Sequence, residues 1–150
     1  MERIKLNNMF RPAMAILALA GCASPAPTPD ALMTLPQERV IEVQYDAAIP
    51  AAVAYKNILE RAGRCWQDRW HVLFAESFNS KAGSARMSMK YPGYGFAPKA
   101  TLVVVEVTRD GEAGARLRGR SLLAHAAFEK DLQNLQLWAE GKTAECAWSS

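Results

Sequence analysis

The sequence predicts an α+β fold: a curved antiparallel sheet of about five strands with two helices on one face. Three observations predict it. Short runs alternating apolar with polar residues occur once before and four times after a single helical stripe. Gly, Asn and Asp punctuate the gaps between the later runs, as suits strands joined to antiparallel neighbours. A second helical stripe closes the chain, so the order reads β-α-β-β-β-β-α.

The first strand is expected over Glu38 to Tyr45, where Ile41, Val43 and Tyr45 alternate with Glu42 and Gln44. Pro50 suits the first turn of a helix, because its missing N–H is not needed there. From Ala51 to Trp66 the residues Ala54, Tyr55, Ile58, Ala62 and Cys65 fall at helical spacing, opposite Lys56, Glu60 and Arg64. Trp70 to Phe78 reads as the second strand, with Trp70, Val72 and Phe74 on one side and His71 on the outward phase.

Asn79 to Gly83 is a turn. Ser84 to Tyr91 follows as a strand, with Ala85, Met87, Met89 and Tyr91 inward. Pro92 to Pro98 is a loop. Ala100 to Thr108 is a fourth strand, and its Leu-Val-Val-Val run points to a central position. Arg109 to Glu112 is a hairpin turn, and Ala113 to Arg120 is the fifth strand. The last helix is expected from Leu122 to Glu140, with Ala124, Phe128, Leu132, Leu135 and Trp138 along its stripe and Gly141 as its C-terminal cap. This arrangement resembles the helix-grip or TBP-like folds.

The N-terminus carries a different message. Arg3, Lys5 and Arg11 flank the apolar run Pro12 to Ala20, which is too short to span a bilayer. It ends in Leu19-Ala20-Gly21-Cys22. These residues resemble the lipobox of bacterial lipoproteins. The resemblance implies a signal peptide over 1–21, a lipid on Cys22 and a mature chain that begins there. With Ala23 next, it implies the outer membrane, facing the periplasm. An ordinary signal-peptidase site can also be drawn at Ala18-Leu19-Ala20. The Leu-Ala-Gly-Cys order and the polar segment that follows favour the lipobox. Residues 22–36, rich in Pro and Ala, read as an extended spacer, and 37–150 as a single domain.

Composition narrows the function. The chain has 18 Lys and Arg against 15 Asp and Glu, but three of those bases and one of those acids lie within 1–21. The remainder is close to neutral, which argues against nucleic acid as a partner. Once Cys22 is lipidated, Cys65 and Cys146 remain, and in an oxidising compartment such a pair points to a disulfide. The rival is a reactive Cys65 thiol near His71, which lacks a third, orienting group. The chain also resembles small proteobacterial envelope lipoproteins of unknown function, with a cysteine late in the first helix and the tail Trp138-Ala139-Glu140-Gly141 before Cys146.

Candidate binding residues fall in two groups. If the sheet is a meander, Arg86, Lys90, Arg116, Arg118 and Arg120 share the face opposite the helices, with Glu106 between them. That face is either a solvated surface or a site for an acidic protein or anionic lipid. Tyr94 and Phe96, in the Gly- and Pro-rich loop, are either binding anchors or caps on the core. A cavity lined by Met87, Met89, Phe128 and Trp138 would suit a small apolar ligand. His71 and His125 lie in different elements, and neither a metal-ligand spacing nor a nucleophile motif is present. The expectation is a non-enzymatic, lipid-anchored envelope protein without metal or cofactor, which binds a protein or lipid. The alternative is a carrier of an apolar ligand held between sheet and C-terminal helix.

Overall fold

A computed structural model describes residues 26–68, 71–91 and 100–146, without the side chains of 124–126. The fold is α+β. Five antiparallel strands, β1 (Val40–Ala47), β2 (Val72–Ala75), β3 (Ser84–Tyr91), β4 (Ala100–Asp110) and β5 (Gly114–Leu122), form one open sheet in the order β1-β5-β4-β3-β2. The later four strands make a meander. The first strand joins beside β5, which leaves β1 and the four-residue β2 as the two edges. The apolar run of β4 lies in the middle of the sheet, with Leu102 through Val105 all buried.

One face of the sheet, the inner face, carries the main core. Along one cross-strand row Val43, Gly119, Val105 and Met87 are neighbours; along the next lie Tyr45, Leu117, Val107 and Ala85. Helix α2 (Ala51–Cys65) covers this face with Ala54, Tyr55, Ile58 and Ala62. Its bounds and its buried stripe match the 3.6-residue pattern of the sequence.

The C-terminal segment covers the rest of the inner face, though not as the continuous helix expected from Leu122 to Glu140. A 3-10 turn over Leu123–Phe128 leads into α3 (Glu129–Gln133), which breaks at Asn134 before α4 (Leu135–Ala139). The break lets Leu132, Leu135, Trp138 and Ala139 all reach the core, each with 0% exposure. A straight helix diverges from a twisted sheet, and a broken one follows it. Gly119 makes the close approach possible, since a Cβ there would sit 2.7 Å from both Leu132 Cδ2 and Leu135 Cδ1. Gly141 ends the segment with φ +73°, as expected of a C-terminal cap.

The opposite, outer face of the sheet is covered too, by an element that the sequence reading did not foresee. Within the expected spacer lies helix α1 (Pro29–Thr34). Thr28 caps it by accepting a hydrogen bond from Ala31 N at 3.2 Å, and Pro29 opens it. Leu32 and Met33 are buried against Val40 and Val104, with Leu35 and Leu122 alongside. The Pro27 carbonyl accepts from Thr101 N at 3.1 Å. From residue 26 onward this stretch is therefore part of the packed domain. The proline-rich composition suggested a free chain, but two apolar side chains placed on one turn of helix found a dry face to cover.

Candidate functional site

The outer face was expected to be basic. Strand register makes it a lattice of ion pairs instead. One row runs Glu42, Arg120, Val104, Ser88, Phe74; the next runs Gln44, Arg118, Glu106, Arg86. Glu42 accepts from Arg118 Nε at 3.0 Å and from Arg120 Nε at 2.7 Å. Arg120, expected outward in solvent, is only 4% exposed, because its guanidinium lies under α1 and donates to the carbonyls of Leu32 and Leu35, each at 3.0 Å. It thus satisfies carbonyls at the C-terminal end of that helix.

The same neutralisation extends over the other expected binding residues. Arg86 bridges Glu106, at 3.1 Å, and Asp30 of α1. Arg116 pairs with Asp46 at 3.1 Å and with Asp110 at 3.2 Å. Burial alone would raise the pKa of Glu42, but hydrogen bonds from Arg118, Gln44 and Arg120 outweigh it and hold the group down at about 2. The arginines therefore fasten the face together and fasten α1 to it. The arginine charge on this face is thus answered by carboxylates of the same chain.

Lys90 is different. It has no carboxylate partner among the described residues, and its ammonium lies 4.5 Å from the centroid of the Phe74 ring. Phe74 itself is 49% exposed, and its neighbour on the same face, Val72, is 37% exposed. The side expected to hold Val72 and Phe74 is thus the outer one, while Leu73 turns to the core. His71 shares the phase of Leu73; it packs edge-to-face with Phe128 and is held by Asp68 at 3.0 Å, so it is not the outward-pointing residue expected.

Phe74 and Lys90 border two adjoining grooves between the edge of the sheet and the leading segment. One, of about 290 Å³, is lined by Pro29, Phe74, Glu76, Arg86 and Lys90 among others. The other, of about 330 Å³, adds Ala26, Pro27, Ala100 and Thr101. Of the residues around these grooves, sequence reading singled out Arg86 and Lys90 but missed α1 and the outward face of Phe74. The signal for α1 was present in Thr28-Pro29-Asp30, a capping residue followed by proline and an acid in the first turn. No such signal marked Phe74.

Among the described residues, the side chains between sheet and C-terminal helices are packed against one another. Met87, Met89, Phe128 and Trp138, the expected cavity lining, are each no more than 2% exposed. Trp66 stacks at an angle on Trp138 and edge-on to Phe128, with ring centroids 5.8 Å and 6.3 Å away. Its indole N–H donates to Asp131 at 2.9 Å. The sulfurs of Cys65 and Cys146 lie 2.06 Å apart, at disulfide distance, tying the end of α2 to the C-terminal tail. Cys65 is thereby engaged, and the rival reactive-thiol reading loses its nucleophile. Cys22, Tyr94 and Phe96 lie outside the described residues.

These features define an α+β domain with an open five-stranded sheet, helices on its inner face and a short helix pinned to its outer one. No family model matches the chain. No curated protein matches it either. Among solved structures, a protein from Chromobacterium violaceum determined as a structural-genomics target is similar over 72% of this chain and all of its own, at 12% identity and a TM-score of 0.33. Among the described residues no helix is long and apolar enough to cross a membrane, and no group of three His, Cys, Asp or Glu is placed to hold a metal ion.

Proposed function

We propose that the protein is a lipid-anchored envelope component, facing the periplasm, whose domain acts by non-catalytic binding at the β2 edge of the sheet. The observation that carries this reading is the pair of half-exposed apolar side chains, Val72 and Phe74, set beside the grooves of the leading segment. Apolar side chains that the fold leaves uncovered, next to concave surface, are the usual mark of a contact area. The lipobox resemblance at Leu19-Ala20-Gly21-Cys22 supplies the anchor and the outer-membrane location.

The binding role is favoured over that of a ligand carrier by the close packing of the inner layer among the described residues. Leu132 and Leu135 lie so close to Gly119 that even a methyl group there would collide with them. An apolar guest would have to displace packed side chains. Two measurements test the proposal. Metabolic labelling with a palmitate analogue should mark the wild-type chain and not Cys22→Ser. A photo-crosslinking amino acid at position 74 should capture an envelope component in cells, whereas one at position 53, on α2, should not. Native mass spectrometry that finds an apolar ligand retained by the extracted protein, with no crosslink at position 74, would favour the carrier instead.

A further inference from the structure

We infer that the β2 edge of the outer face rests on the phospholipid headgroup layer of the membrane that holds the anchor, with Phe74 and Val72 entering it and Lys90 meeting the phosphates. This inference deepens the proposed function and rests on its lipid-anchor reading.

The tether to the lipid is short. Helix α1 and the Pro27–Thr101 hydrogen bond fix the leading segment to the sheet as far back as Ala26. Only four residue steps separate Ala26 from Cys22, so the backbone of Ala26 lies within about 14 Å of the backbone of the lipidated residue. A lipidated cysteine holds its own backbone at the headgroup level. A spacer over the whole of 22–36 would have allowed the domain to stand well away and to turn freely; four steps do not.

Position then selects the surface. Ala26 lines the same groove as Phe74 and Lys90. The point where the chain leaves for the membrane is therefore beside the β2 edge, and α2 lies on the far side of the sheet. What the membrane would meet there is suited to it. Phe74 and Val72 offer apolar surface, and the Lys90 ammonium lies beside the Phe74 ring. A cation beside apolar side chains matches a layer where phosphates overlie hydrocarbon. Elsewhere on this face the guanidinium groups are held by Glu42, Asp30, Glu106, Asp46 and Asp110. Lys90 has no such competitor among the described residues.

The test uses the full lipidated chain reconstituted in protein-free vesicles of zwitterionic and anionic phospholipid, with part of the lipid brominated near the headgroup end of its acyl chains. A tryptophan is added by Phe74→Trp, by Val72→Trp or, as a control on the opposite side, by Val53→Trp. The brominated lipid should quench about half of the emission added at positions 74 and 72, as expected of side chains in the interfacial region, and none of that added at 53. Equal quenching at all three positions, or none at 74 and 72, overturns the inference; the latter is also the result expected if the surface is reserved for a protein. Both substitutions at the β2 edge replace half-exposed side chains, and circular dichroism checks that each variant keeps the fold. Palmitate labelling separates the two levels of the argument. Labelled protein without quenching removes the membrane contact alone, whereas unlabelled protein removes the anchor and the contact together.

Discussion

Trp66 Nε1 donates to Asp131 Oδ2 at 2.9 Å, and the two residues are 2% and 0% exposed. The pair joins the end of α2 to α3 through the inner layer, 65 residues apart in sequence. A buried carboxyl group is tolerated there because a hydrogen bond reaches it, and the indole N–H is tolerated for the same reason. Asp131→Ala leaves the indole donor without its acceptor and opens a small gap. It should destabilise the domain by about 1–3 kcal/mol in urea unfolding, the usual cost of leaving a buried polar group unsatisfied. A loss below about 0.5 kcal/mol would show that the pair is incidental.

Two glycines give a matched test of the inner layer. Gly119→Ala puts a methyl group 2.7 Å from Leu132 Cδ2 and Leu135 Cδ1, both on residues with no solvent to swing into. Overpacking of this kind should cost about 1–3 kcal/mol. Gly63, in α2, has nothing within 4 Å of a built Cβ, so Gly63→Ala should stabilise by about 0.5–1 kcal/mol through helix propensity. Thermal unfolding of the two variants should shift in opposite directions.

The Cys65–Cys146 bridge spans 81 residues of sequence. Most of the domain lies inside that loop, so the bridge restricts the unfolded chain strongly. Replacing both cysteines with serine should lower stability by about 3–5 kcal/mol in the chain-entropy account. Mass spectrometry of the protein isolated without reductant should show the oxidised pair, and two free thiols would remove the bridge as a stabilising element.

Acid should loosen the outer face through Glu42. Its folded pKa of about 2 lies below its ordinary value of 4.5. For a depressed carboxyl group the stabilisation is complete above the unfolded value and is lost as pH falls through the folded one. Protonation thus weakens the hold of Glu42 on Arg118 and Arg120 between about pH 4.5 and pH 2. With Glu42 near the surface, the whole contribution is on the order of 1–3 kcal/mol. Glu42→Gln should lose that amount at neutral pH and show a flatter stability profile across the acid range. An unchanged profile would mean that Arg118 and Arg120 are held by other contacts.

How far the fold could be read in advance depended on local pattern. The chain alone determined β3, whose strict alternation from Ser84 to Tyr91 matches the observed strand, and α2, whose stripe ends within a residue of the expected place. It determined the central place of β4 by an unbroken apolar run, and the cap at Gly141 by the need for positive φ. These features are written in neighbouring residues, because periodicity and turn chemistry act over a few positions. The rest had no local signal. Val72-Leu73-Phe74-Ala75 is apolar throughout, so alternation carries no phase, and only the pairing of β2 with β3 decided that Phe74 faces outward. The helix at Pro29–Thr34 is too short to persist alone; burial of Leu32 and Met33 on the sheet holds it. The arginines were visible as a set, but strand register placed Glu42, Glu106 and Asp46 beside them and turned a basic stripe into a lattice of pairs. Partners from distant segments meet only when the sheet closes, and a one-dimensional pattern holds no record of that distance.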